Sequence, residues 1–132
     1  MIVRSVQDVL NTDRDVRGEA FASRRLLLAK DGVGFSLNET TVDAGTKQTM
    51  WYKHHIEANY VVEGEGTVTD LATGQVHPLG PGSTYTLNMN DRHVVEAKTR
   101  MKFVCIFTPP LTGKETHDKD GSYLPAAEES SS

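Results

Sequence analysis

Residues 51–68, WYKHHIEANYVVEGEGTV, decide how the chain is read. The stretch is rich in β-branched and aromatic residues and ends in two glycines, the pattern of a strand running into a tight connection. Side chains on a strand alternate between its faces. One face is then Trp51, Lys53, His55, Glu57, Asn59 and Val61; the other is Tyr52, His54, Ile56, Ala58, Tyr60 and Val62. The second face is the more apolar, so periodicity alone turns it to the core and leaves the row His55–Glu57–Asn59 facing water. In a small closed barrel, by contrast, one face points into the lumen, and a lumen lined with His and Glu is a site. Tyr52 and His55 fall on opposite faces, so both reach one lumen only if a bulge intervenes.

The flanking sequence supports a barrel. Short strand-like segments recur after residue 20, among them RRLLLA, GVGFSLNETTV, EGTVTDLA, GSTYTLNM, HVVEAK and MKFVCIFT. Gly, Asn, Asp or Pro separates them, which predicts an all-β sandwich or barrel of jelly-roll type. The DG of AKDGVG and the TG of LATGQV read as hairpin tips. Ahead of the strands, SVQDVLNT places Val6, Val9 and Leu10 at the spacing of a short amphipathic helix. His77, in GQVHPLG, reads as a surface-loop residue. After Pro109 the chain turns rich in Pro, Gly and charge, which predicts a C-terminal loop and then a disordered tail over 126–132. The 132 residues fit a single domain, taken as 1–125.

Formal net charge is −4, with no basic face of the kind that phosphate backbones require, so no nucleic-acid partner is expected. No apolar run approaches the ~20 residues that span a bilayer, and the charged N-terminus does not read as a signal peptide. The single cysteine, Cys105, has no internal disulfide partner. Together these features lead to the expectation of a cytoplasmic protein with no membrane association.

Two spacings carry chemistry. Glu57 is followed after six residues by Gly64, and Gly82 is followed after five by Asn88, then Asn90, then His93. These lengths resemble the two motifs of the cupin barrel, with Asn88 and Asn90 in place of the usual proline and second glycine. Asn tolerates left-handed turn conformations. The His-x-His that normally opens the first cupin motif is absent, and His54 and His55 lie too close to Glu57 to replace it in register. Tyr85, whose strand leads into His93, is the candidate third ligand.

A narrower resemblance spans residues 1 to about 125. WYKHH.EA.Y..EGEG, PG..Y.L...D.H and F.PPLTG.E.HD.DG.Y together resemble the ectoine synthase family, with SRRLLL.KDGVGFS, ET and AGT as further matches. That resemblance implies a homodimer of cupin barrels. It implies ring closure of N-γ-acetyl-L-2,4-diaminobutyrate to ectoine with loss of water, as part of compatible-solute biosynthesis. It implies Fe(II), with Mn or Zn as possible substitutes, on Glu57, Tyr85 and His93. A carboxylate, a phenolate and an imidazole form a hard oxygen–nitrogen set suited to such metals. It further implies substrate contacts from Phe21, Ser23, Arg25, Asn38, Thr40, Cys105 and Phe107, and proton handling by Glu115, His117, Tyr52 and His55. Phe21 stands where the family often has tryptophan.

Plainer readings exist beside these. Arg25 also reads as a surface charge beside Arg24, Cys105 as a small buried hydrophobe, His54 as structural, and Glu115 and His117 as ties for the C-terminal loop. Two other functions fit a barrel of this kind: a dioxygenase-type metal cupin, which would consume oxygen, and a non-catalytic cupin that binds a small zwitterion.

Overall fold

The computed structural model describes residues 1–114. Ten strands follow a short helix: β1 (Asp15–Arg17), β2 (Phe21–Leu27), β3 (Ser36–Val42), β4 (Lys47–Trp51), β5 (Ile56–Glu63), β6 (Gly66–Asp70), β7 (Val76–Leu79), β8 (Thr84–Leu87), β9 (Arg92–Ala97) and β10 (Met101–Thr108). Six form one antiparallel sheet in the order β1-β2-β3-β10-β5-β8, and four form a second, β4-β9-β6-β7. The two sheets close around a shared core that takes Phe103, Cys105 and Phe107 from one and Val68, Leu79 and Val95 from the other. This is the expected cupin-type architecture. Among the described residues no helix is long and apolar enough to cross a membrane.

Local chemistry explains the ends of the elements. The helix α1 (Val6–Val9) starts with a capping box: the Ser5 hydroxyl accepts from the Asp8 amide, and the Asp8 carboxylate accepts from the Ser5 amide. Its Val9 is buried, as the spacing predicted. The DG of AKDGVG lies in the connection of the β2–β3 hairpin, where it closes a 3-10 turn, Ala29–Asp31, with Gly32 left-handed at its C-cap. Asp31 accepts from Arg4, Arg14 and the Leu28 amide, so the N-terminal segment is tied to this turn. The TG of LATGQV joins a hairpin, β6 to β7, with Gly74 at φ 75°. His77 lies in β7 rather than in a loop, although it is exposed. Pro78 next to it is tolerated because β7 is an edge strand, where a missing donor costs no ladder bond.

The stretch 51–68 is not one strand. β4 ends at Trp51, residues 52–55 turn, and β5 begins at Ile56. Tyr52 and His55 therefore belong to a turn, and both are buried without the bulge that strict alternation demanded. The more apolar face of β5 points outward: Ile56, Tyr60 and Val62 are 42 %, 47 % and 39 % exposed. Glu57, Asn59 and Val61 point inward and are buried. Expectation from periodicity is thus reversed, because this lumen takes polar side chains.

The glycines of EGEG answer to close packing. Gly64 has φ 89°, and a Cβ there would stand 2.1 Å from the Arg100 carbonyl oxygen. Glu65 accepts from the Lys98 and Thr99 amides, which holds the β9–β10 turn against this connection. Gly64→Ala combines backbone strain with a clash against backbone, and is expected to cost on the order of 3 kcal/mol. A fall in Tm of roughly 10 °C in a thermal melt would follow; an unchanged Tm would show that the turn relaxes freely.

Candidate active site

Strand register places one continuous row of inward side chains across the larger sheet. Arg25 on β2 pairs with Asn38 on β3, Asn38 with Cys105 on β10, Cys105 with Asn59 on β5, and Asn59 with Tyr85 on β8. Ser23, Thr40 and Phe103 form the next inward row on one side; Phe107 and Glu57 belong to the row on the other. All these residues line a cavity of about 250 Å³, closed from the opposite sheet by Gln48, Met50 and Val95 and from the 52–55 turn by Tyr52. The wall sets buried polar side chains among apolar ones, and several of the polar atoms lack a hydrogen bond of ordinary geometry: Arg25 Nε, Asn38 Oδ1 and Asn59 Nδ2. Buried polar groups are nearly always paired, so such a group in a cavity wall points to a ligand.

Glu57 and Tyr85 line one side of this cavity, and His93, on β9, is buried behind that wall beside Tyr85. Burial pushes the Glu57 carboxyl up to about 8, with the Asn59 amide opposing the shift. Burial also raises the Tyr85 phenol, and the neighbouring Glu57 charge raises it further. On β9 of the facing sheet, His93 is lowered by burial, against the pull of the Asp91 carbonyl and the Asp91 and Asp70 charges. Its ring lies 6.3 Å from that of Tyr85 and 6.2 Å from that of Tyr52. His93 Nδ1 stands 3.0 Å from the Asp91 carbonyl, which fixes the tautomer with Nε2 as the free acceptor. That Nε2 is buried and has no partner.

All three groups are thus held in their uncharged forms by desolvation. A divalent cation would reverse the cost for the carboxylate and the phenolate and would supply the partner that His93 Nε2 lacks. The donor set therefore fits a metal. Among the described residues no group of three or more His, Cys, Asp or Glu side chains is placed to hold one; the fit depends on a tyrosine as third donor.

The family profile for ectoine synthase matches residues 1–127. The chain belongs to the ectoine synthase family. It is 58 % identical over 124 residues to the L-ectoine synthase of Desulfosudis oleivorans, covering 93 % of this chain and 96 % of that protein. With the L-ectoine synthase of Oceanobacillus iheyensis it shares 53 % identity over 128 residues, 97 % of this chain and all of that one. The crystal structure of ectoine synthase from P. lautus superposes with a TM-score of 0.85 at 45 % identity, covering 96 % of this chain and 91 % of that one. An RmlC-like cupin from Shewanella frigidimarina shares the fold alone, at 21 % identity and a TM-score of 0.61 over 72 % of this chain and 81 % of that one. Ectoine synthases use a divalent metal.

Most residues singled out from the ectoine synthase pattern come together. Ser23, Arg25, Asn38, Thr40, Tyr52, Glu57, Tyr85, Cys105 and Phe107 line the cavity, and Phe21 stands at its exposed side. Arg25 is buried rather than a surface charge, and its Nη1 donates to the Gly113 carbonyl at 3.1 Å. Cys105 is buried, its thiol raised by burial and by the Glu57 charge while Thr40 opposes the shift, so it is no thiolate nucleophile. His55 does not line the cavity; its ring meets the edge of Phe107 at 5.8 Å. His54 is exposed. Glu115, His117 and the tail over 126–132 lie outside the described residues. Asn59, Gln48 and Met50 were not assigned from sequence. Asn59 carried a signal, since it shares a face with Glu57; Gln48 and Met50 carried none.

Asn90 takes φ 53° at the place of the cupin glycine, and its amide donates to the Tyr52 carbonyl at 3.0 Å. Its own carbonyl accepts from the Trp51 indole at 2.7 Å. The turn carrying Tyr52 is thereby fixed to the turn preceding His93.

Proposed function

We propose that this cavity performs the family reaction, closing N-γ-acetyl-L-2,4-diaminobutyrate into ectoine with loss of water, and that Glu57, Tyr85 and His93 hold Fe(II) beside it. Mn or Zn can occupy such an oxygen–nitrogen set as substitutes. The single observation that carries the reading is the inward row from Arg25 to Tyr85. It puts a buried cation and an unpaired acceptor at one end, and the candidate ligand set at the other.

The substrate has a matching order of groups: a carboxylate and an α-amine at one end, an acetamide at the other. Arg25 pairs with the carboxylate, for which a planar guanidinium is suited. Asn38, with its free Oδ1, and Thr40 hold the amine. Phe21, Phe107 and the aliphatic wall exclude water and fold the chain so that amine and carbonyl carbon approach. Good intramolecular alignment can contribute roughly 7–11 kcal/mol to such a closure. When bound, the metal supplies Lewis acidity that polarises the amide carbonyl. Ring closure replaces the C=O of the acetamide by a C=N to the α-nitrogen; the amine gives up two protons, and the departing oxygen takes two and leaves as water. Tyr52 on the cavity wall, with Glu115 and His117 from the C-terminal segment, are the groups to move those protons, and His55, on the same turn but behind the wall, takes part through them.

An anaerobic assay tests this reading. Protein stripped of metal and reloaded with ferrous iron would be mixed with substrate and followed by NMR, with metal-free protein and Glu57→Ala alongside. Iron-dependent ectoine formation, lost in both controls, is the expected result. No product from folded, iron-loaded protein would overturn it.

The outward face of the larger sheet supports a homodimer. Ile56, Tyr60 and Val62 on β5 adjoin Ile106 on β10, all more than a third exposed. A contiguous apolar sheet face of this kind calls for a cover. Tyr60→Asp combined with Ile106→Glu is expected to reduce the mass measured by light scattering from two chains to one. Mass unchanged in the folded variant would move the interface elsewhere.

A further inference from the structure

Asn59 has a part in this cavity that neither the metal set nor the clamp for the zwitterion assigns. It sits mid-strand on β5, 3 % exposed, between Cys105 and Tyr85 in the inward row. Its Nδ2 makes no hydrogen bond of ordinary geometry, and of its two N–H donors only one can turn to the neighbouring Glu57 carboxyl, whose charged form it favours; the other is left over. A buried amide donor left unpaired costs about 1–3 kcal/mol, and the strand position would accept a β-branched apolar residue without that cost. The amide lies against the cavity rather than against packed core. Its position along the row narrows what it meets. Arg25 and Asn59 stand three strands apart on the sheet, about 14 Å between backbones, with their side chains converging on the cavity. If Arg25 and Asn38 take the charged end of the substrate, Asn59 stands at the other end, next to Glu57 and Tyr85.

We propose that Asn59 is a substrate-binding residue whose Nδ2 donates a hydrogen bond to the acetamide oxygen of the substrate. This rests on the orientation of substrate given above. It separates substrate from product by chemistry. The acetamide oxygen is the atom that leaves as water, so the cyclic amidine offers nothing at that place for Nδ2 to bond. The contact therefore favours the uncyclised molecule and is given up when the ring forms.

The test is Asn59→Val in metal-loaded protein, with KM for N-γ-acetyl-L-2,4-diaminobutyrate and the inhibition constant of added ectoine measured side by side. KM is expected to rise fivefold or more, while the product constant stays within twofold. The ligand-free variant should melt no lower than the parent, because an unpaired buried amide has been removed, and its metal content should be unchanged. The parent protein, turning over in the same assay, keeps this result separate from the assignment of the reaction itself. An unchanged KM would overturn the proposal. So would a parallel rise in both constants, which would mean general damage to the cavity, or a loss of metal with KM unchanged, which would assign the amide to Glu57. Asn59→Asp, which replaces the donor by an acceptor at nearly constant size, should raise KM at least as much; parental KM in that variant also refutes the contact.

Discussion

Glu57→Gln is expected to abolish ring closure and to make the metal-free protein more stable at alkaline pH. The two effects have one cause. Burial raises the carboxyl of Glu57 from 4.5 to about 8 in the fold. Between those values the folded chain keeps a proton that the unfolded chain has released, so stability falls as pH rises through that window. Below about pH 4.5 both states are protonated and nothing is lost; above about 8 the folded state carries the full cost of a buried charge, on the order of a few kcal/mol. Glutamine has nearly the same shape and never ionises. The Tm difference between Glu57→Gln and the parent, both metal-free, should be small near pH 4.5, grow toward pH 8 and level off above it. Saturating metal should raise the Tm of the parent and not of the variant. A Tm difference independent of pH would show that Glu57 is solvated in solution, and a variant that still binds metal tightly would remove it from the ligand set.

Arg25→Ala carries the second large effect, and it falls on the substrate. The guanidinium is buried, one arm is held by the Gly113 carbonyl, and Nε is unpaired beside the cavity. Truncating one member of a buried, hydrogen-bonded charge pair costs about 2–5 kcal/mol, which corresponds to a loss of kcat/KM of roughly 30-fold to several thousand-fold. The loss should appear mainly in KM. Arg25→Lys should recover only part of it, because a point charge cannot reproduce a planar two-armed contact. The segment after β10 keeps two other anchors, the Leu111 amide on Ser36 Oγ and the Leu111 carbonyl on the Ala29 amide. The fold should therefore survive. An Arg25→Ala protein with parental KM would place the carboxylate clamp on another residue.

Much of the site was legible because spacing survives folding. The interval from Glu57 to Gly64 and from Gly82 to His93 fixes two hairpin-like connections, and Gly82 and Asn90 both take the left-handed conformations those connections require. Arg25, Asn38 and Cys105 came from the resemblance to ectoine synthases rather than from any local signal, whereas Tyr85 was marked by the strand that leads into His93. Each is an ordinary strand residue until the register is known. Asn59 was visible on the same face as Glu57, but a lone Asn on a strand says nothing until its neighbours on β8 and β10 are in place.

By itself the sequence determined the short amphipathic helix α1, the β6–β7 hairpin and the all-β class. These depend on φ preferences and on short-range hydrogen bonds, which belong to the local chain. Only the tertiary structure decided which face of β5 is inside. Alternation says that two faces exist, and hydrophobicity assigns the apolar one to the core; here Ile56, Tyr60 and Val62 point out, and Glu57 and Asn59 point in. On its concave side the larger sheet wraps a cavity with polar side chains in its wall, so the usual ranking of faces is inverted. Likewise the break at residues 52–55, which brings both Tyr52 and His55 inside, arises where the chain crosses from one sheet to the other. Sheet closure is a long-range condition, and no window of sequence contains it.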